Sequence, residues 1–87
     1  VSVRIVYLGR LSEIAGCNNS EFDSAADGLD WAQLIVLLRD NVNLAISDAA
    51  ANERTLVAVN GKVLSEKAAL IARHGDEIAL LPPVSGG

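Results

Sequence analysis

The chain has 87 residues, 51% of them apolar, 21% charged and 3% aromatic, with a formal net charge of −4. That is enough for one domain with a core of Val, Leu, Ile and Ala, and it is too apolar for intrinsic disorder. Seven basic residues without a cluster argue against a nucleic-acid partner, the apolar run at residues 34–38 is far too short to span a membrane, and a single cysteine excludes an internal disulfide or a multi-thiolate metal site.

Val1-Ser2-Val3-Arg4-Ile5-Val6-Tyr7-Leu8 begins in strict alternation and is read as a strand, with Val1, Val3, Ile5 and Tyr7 toward the core. Val6 and Leu8 then fall on the opposite face and leave apolar surface at the strand's far end. Gly9 breaks the strand, and residues 11–15 are expected to form a short helical turn that Gly16 ends. Cys17 lies in a loop as an ordinary small residue. Residues 20–23 suit a second strand with Phe22 inward, and Glu21, Asp23, Asp27 and Asp30 read as a solvated acidic face.

The clearest helix start is Leu29-Asp30-Trp31-Ala32-Gln33-Leu34. Asp30 is a good N-cap, Gln33 occupies the capping-box position, and Leu29 with Leu34 can form a hydrophobic staple. Trp31, Leu34, Ile35 and Leu38 share one face at helical spacing, with Trp31 as a core anchor. Asn41 or Asn43 is expected to end the helix, and residues 44–52 to form a loop or one short helix. Residues 54–59 read as a third strand, closed by Asn60-Gly61, a pair suited to a type I′ hairpin turn, with residues 62–64 returning. Residues 65–73 are expected to pass through a short helical segment with Ala68, Leu70 and Ile71 buried. His74-Gly75-Asp76 turns the chain into a last strand, residues 77–81, and His74 has no metal-ligand partner at suitable spacing.

The order strand, strand, helix, strand, short strand, strand predicts an α+β fold of the β-grasp, ubiquitin-like type. It has a mixed sheet of about five strands, one main helix packed across it and short helical segments. Residues 1–81 make the domain. Residues 82–87, Pro82-Pro83-Val84-Ser85-Gly86-Gly87, make a flexible tail ejected by a last strand inside the sheet. The prolines hold the tail's base extended, and glycine lets Gly86 and Gly87 enter a narrow channel. Extended, the last four residues reach roughly 13 Å, at about 3.3 Å per residue. A plain end with no chemistry is the competing reading of those residues.

The segment Gly75-Asp76-Glu77-Ile78-Ala79-Leu80-Leu81-Pro82-Pro83-Val84-Ser85-Gly86-Gly87 closely resembles the corresponding stretch of the small subunits of molybdopterin synthase. Ala58-Val59-Asn60-Gly61 and Glu13-Ile14-Ala15-Gly16 extend the resemblance nearly end to end. The chain departs from the family pattern in two places. Tyr7-Leu8-Gly9 stands where the family often has aromatic residues and an Ala near the first strand's end, and Ser12 stands where an arginine commonly precedes the glutamate. Both are expected to matter little to the chemistry.

The resemblance implies a sulfur carrier that binds no cofactor itself. A ubiquitin-activating-like adenylyltransferase would spend ATP to convert the Gly87 carboxylate to an acyl adenylate, and a sulfur donor enzyme would leave a thiocarboxylate there. Gly86 would give the partner access to the backbone. The large subunit, in a heterotetramer of two small and two large subunits, would accept the tail and use its sulfur to build the molybdopterin dithiolene from cyclic pyranopterin monophosphate. Val6, Leu8, Leu81, Pro82, Pro83, Val84 and Ser85 are the expected partner-binding residues. No convergent His, Ser or Lys constellation is apparent, so acids, bases and oxyanion donors are expected from the partners. Metal, nucleic acid and membrane are not expected. A reduced, cytoplasmic setting is, given one cysteine and no recognisable signal segment. Carriers for thiamine synthesis, for tRNA thiolation or ubiquitin-like conjugation, and an inert β-grasp interaction module are the alternatives.

Overall fold

Alternation at the start of the chain builds the first strand of the sheet. In the computed structural model, which describes residues 1–83, β1 (Ser2–Tyr7) buries Val3, Ile5 and Tyr7. α1 (Arg10–Ala15) follows and ends at Gly16, whose φ of 79° is the left-handed cap that glycine adopts without strain. β2 (Asn19–Asp23) then pairs antiparallel with β1, and Phe22 packs against the core from opposite Val3.

β3 (Leu29–Asp30) leads directly into α2 (Trp31–Asn41). The capping box is complete: Asp30 Oδ1 accepts from Gln33 N at 2.8 Å, and Gln33 Oε1 accepts from Asp30 N at 2.9 Å. Leu29, Leu34 and Leu38 are fully buried, while Trp31 and Ile35 pack half-buried against the core. α2 ends at Asn41. Asn43 caps the next helix, α3 (Leu44–Ala51), accepting from Ile46 N at 2.7 Å. Its Nδ2 also donates to Ile14 O at 2.9 Å, tying α3 to α1. Residues 44–51 are thus the short helix of the two expected forms.

β4 (Leu56–Val59) and β5 (Lys62–Val63) form the expected hairpin, with φ of 51° at Asn60 and 84° at Gly61. β6 (Ile71–Ala72) and β7 (Glu77–Leu81) are the last strands among the described residues. The large sheet runs β2-β1-β7-β4-β5, with β7 parallel to β1 and antiparallel to β4. The β-grasp arrangement is therefore present, and the last strand lies at the centre of the sheet.

The segment before β7 corrects the sequence reading. Only Lys67–Ala69 is helical, as one 3₁₀ turn, and β6 then pairs with β3 in a second, two-stranded sheet. Leu70 is buried as expected, but Ala68 is exposed and Ile71 is 60% exposed. The register explains the difference at Ile71. Ala72 sits opposite buried Leu29, so its neighbour Ile71 shares the outward side with Asp30. Lys67 locks this region. Its Nζ donates to Ala50 O at 2.8 Å and to Asn52 O, and lies 5.5 Å from the centroid of the Trp31 ring. Burial lowers its pKa, with Glu53 opposing the shift.

A polar cluster joins the hairpin turn to the start of β7. Asn60 Nδ2 donates to Asp76 Oδ1 at 3.0 Å, Asn60 Oδ1 accepts from Glu77 N at 3.0 Å, and Asp76 Oδ2 accepts from Arg73 N at 2.8 Å. His74 Nδ1 accepts from Ser2 N at 3.0 Å, so this histidine serves the turn. The Arg73 N–H, then the Asn60 amide, hold the Asp76 carboxyl below its ordinary range.

Two outcomes follow for stability. Asp30→Ala should cost about 1 kcal/mol in urea unfolding through loss of the cap. Because the folded-state pKa of Asp76 is depressed, its contribution is present above its unfolded value of about 4 and is lost as pH falls through the folded value. Asp76→Asn should therefore flatten the acid limb of a stability-versus-pH curve relative to the wild type.

Candidate functional site

β1 and β7, at the centre of the large sheet, turn alternate residues into the core, and the opposite face of the sheet separates into two halves. One half is polar. Arg4 pairs with Glu21 at 3.0 Å, Ser2 Oγ donates to Asp23, and Glu77 lies beside Arg4 in the register. The other half is apolar. Val6 lies beside Ala79, Leu56 beside Leu81, and Ala58 between Ala79 and Val63. Leu8 continues β1 past its last paired residue, with its N–H on Leu80 O at 3.1 Å. Leu8 is 39% exposed, Leu56 41% and Val63 55%, while Val6 and Leu81 are half-buried.

This division has a geometric cause. β1 and β7 run parallel, so both carry their C-terminal ends to the same edge of the sheet, where β4 begins. The apolar half therefore surrounds the point at which the chain leaves β7. Val6, Leu8 and Leu81, expected from the sequence, are brought together there. Leu56, Val63 and Ala79 were not anticipated. The alternation that buries Val57 marks Leu56 as outward, but its place beside Leu81 depends on a pairing between strands about 20 residues apart, which spacing alone does not reveal.

At the exit, Pro82 is half-buried and Pro83 exposed. They form one end of a recess of about 290 Å³ between α1 and α3, whose walls include Arg10, Leu11, Ile14 and Thr55. Thr55 Oγ1 donates to Ala49 O at 2.7 Å, closing the recess toward α3. The expected site residues Val84, Ser85, Gly86 and Gly87 lie outside the described residues.

Tyr7 and Cys17, near the end of β1, both meet the Ser20 hydroxyl. Tyr7 donates to Ser20 Oγ at 3.0 Å, and burial raises its pKa, opposed by that bond and reinforced by Cys17. Cys17 is exposed, with Sγ 3.6 Å from Ser20 Oγ. Among the described residues, no group of three His, Cys, Asp or Glu side chains is arranged to hold a metal ion, and no helix is long and apolar enough to cross a membrane. What these residues present is an exposed apolar surface beside the place where the chain leaves β7.

Comparison with known proteins agrees with this layout. The model of the ThiS family matches residues 5–87. No curated protein sequence matches the chain. Among solved structures, SAMP1 from Haloferax volcanii is similar over 100% of both chains, at 22% identity and a TM-score of 0.76. Small archaeal modifier protein 1 from Methanosarcina acetivorans is similar over 100% of this chain and 97% of its own, at 22% identity and a TM-score of 0.76. A chain from the complex of subunits 1 and 2 of molybdopterin-converting factor of Helicobacter pylori 26695 is similar over 100% of both, at 23% identity and a TM-score of 0.65. At these identities the structural likeness is one of fold.

The two faces of the sheet should respond differently to substitution. Leu56→Ser and Val63→Ser should stay within about 0.5 kcal/mol of wild-type stability. Leu80→Ala, on the buried face of β7, should cost about 2–5 kcal/mol. Chemical denaturation of the three variants checks this, and equal losses would show that the apolar half bears on stability as the core does.

Proposed function

The chain belongs to the ThiS family of ubiquitin-like sulfur carriers, and on that premise we propose that it is the sulfur-carrying small subunit of a molybdopterin synthase, with Gly87 as the loaded residue. The observation that carries this reading is the union of two features. The family match runs through Gly87, and the chain leaves the sheet's central strand through Pro82-Pro83 beside an exposed apolar half.

The chemistry begins with a poor electrophile. The Gly87 carboxylate attacks the α-phosphorus of ATP in the activating enzyme, releasing pyrophosphate and forming an acyl adenylate. A sulfide-level nucleophile from a sulfur donor enzyme adds to the carbonyl and expels AMP, leaving a thiocarboxylate. That group is ionised at neutral pH and is a soft nucleophile. In the large subunit its sulfur attacks the cyclic pyranopterin, and water then cleaves the acyl link and restores the carboxylate. Two such deliveries supply the dithiolene. Gly86 leaves space for the tetrahedral adduct, and the partners contribute the acids, bases and oxyanion donors.

The apolar half supplies the docking energy in this scheme. Leu8, Leu56, Val63 and Leu81 present exposed or half-buried apolar surface next to the exit, as a protein interface core requires. The net charge of −4 favours encounter with basic partner surfaces. Transfer of the same adenylate to an amine is the second reading, since the Methanosarcina acetivorans neighbour is named a small archaeal modifier protein.

Intact-mass measurement after incubation with ATP, an activating enzyme and a sulfur source tests the loaded residue. One oxygen of the chain should be exchanged for sulfur, and deletion of Gly87 should abolish the exchange with the fold retained. Unchanged loading of the truncated chain would refute the assignment. Conversion of the pterin precursor by the loaded chain and a large subunit supports the molybdopterin route, whereas transfer to protein amines without that conversion supports the second reading. Leu56→Asp should weaken large-subunit binding roughly tenfold or more, as expected for an interface residue worth over 1 kcal/mol.

A further inference from the structure

The turn that follows β1 lies directly beneath the outgoing chain. Gly9 has φ 56° and ψ −135°, a combination strained for any L residue. A β-carbon built on it would stand 3.1 Å from Pro82 Cγ and 3.8 Å from Pro82 Cδ. The first distance is closer than carbon atoms pack without displacement, since their optimum is roughly 3.5–4.0 Å. A β-carbon at residue 9 would therefore require the Pro82 ring to give by a few tenths of an ångström.

This seat is held from several directions. The Gly9 carbonyl accepts from Ser12 N at 3.2 Å and from Ser12 Oγ at 2.8 Å. Leu8 is fixed on both sides of its peptide: its carbonyl accepts from Leu11 N at 3.1 Å, and its N–H donates to Leu80 O at 3.1 Å. The ladder bond aligns Leu8-Gly9 with Leu80-Leu81-Pro82, and the α1 bonds keep Gly9 from moving away. Gly9 and Ser12 are therefore joined to one another beside Pro82.

We propose that Gly9 is a positioning residue: its bare α-carbon, anchored by Ser12, seats the Pro82 ring and sets the direction in which the backbone leaves Pro83. Pro82 has a fixed φ and its ψ is held in the extended range by Pro83 after it, so the placement of its ring biases the heading of the chain it carries. A partner docked on the apolar half then receives the reactive end at a defined angle. This inference rests on the reading of Gly87 as the loaded residue, because direction matters only where the tail delivers a reacting group. Misplacement by about 1 Å can cost up to about 100-fold in rate.

The test is a double-mutant cycle of Gly9→Ala, Pro82→Ala and the double variant, read by steady-state kinetics of loading with the chain as the varied substrate. A destabilised chain lowers the concentration of competent substrate and raises KM, whereas a misdirected tail on a docked domain lowers kcat. Gly9→Ala should lower kcat about tenfold or more with KM changed less than about threefold. In the Pro82→Ala background, which removes the clashing Cγ, the added cost of Gly9→Ala should fall below about threefold. An equal cost in both backgrounds, or a loss carried entirely by KM, overturns the proposal and leaves backbone strain as the sole effect. Should Gly9→Ala fail to fold, Ser12→Ala replaces it in the same cycle, with a smaller kcat loss that Pro82→Ala again suppresses. Nuclear Overhauser contacts between the Gly9 α-protons and the Pro82 ring, expected in the wild type, judge the seat independently of loading, and their absence overturns it. A wild-type chain that shows those contacts but takes up no sulfur removes the functional reading and leaves the seat standing.

Discussion

The position of β7 is the constraint from which the rest of this structure follows. Its backbone is hydrogen-bonded on one side to β1 and on the other to β4, and its Ile78 and Leu80 side chains are completely buried. A strand so held has no freedom along its length, since moving it by one residue would turn its core face to solvent. The chain is therefore released at one sharply defined place, after Leu81. A tail leaving an edge strand would share that strand's tendency to fray and to pair with other chains.

The same placement organises the surface. Because β1 is parallel to β7, Leu8 arrives beside Leu81, and because β4 is antiparallel to it, the first residue of β4 arrives on the other side. Apolar residues from three separate parts of the chain thus meet around the exit, while Arg4, Glu21, Asp23 and Glu77 gather at the opposite end. The helices play no direct part in this surface. They cover the other face of the sheet, and the bonds of Asn43 to α1 and of Lys67 to the end of α3 keep that cover in one arrangement. The buried core and the exposed apolar half consequently lie on opposite sides of a single sheet.

Several elements were legible from local chemistry. The Asp30 and Gln33 capping box, the Asn60-Gly61 turn, the glycine cap at residue 16 and the alternation of β1 all depend on neighbours within a few residues, and each occurs as read. The pairing of β3 with β6 was not legible, because two-residue strands carry no periodicity of their own. Ile71 shows the consequence. Its apolar character suggested burial, and the register opposite Asp30 placed it outside. Of the candidate surface, Val6, Leu8 and Leu81 were readable from alternation, whereas Leu56 and Val63 entered only with the β4–β7 and β4–β5 registers.

The amino acids alone therefore determined the kinds of element, the caps and turns that bound them, and the resemblance on which the reading of Gly87 rests. Those features are short-range, so the residues responsible are adjacent in the chain. Only the tertiary structure decided which residues share the exposed half of the sheet and that Gly9 lies under Pro82, 73 positions further on by the numbering. Such neighbours are chosen by the pairing of distant strands, and a pattern within one strand states which side a residue faces without stating what will lie beside it.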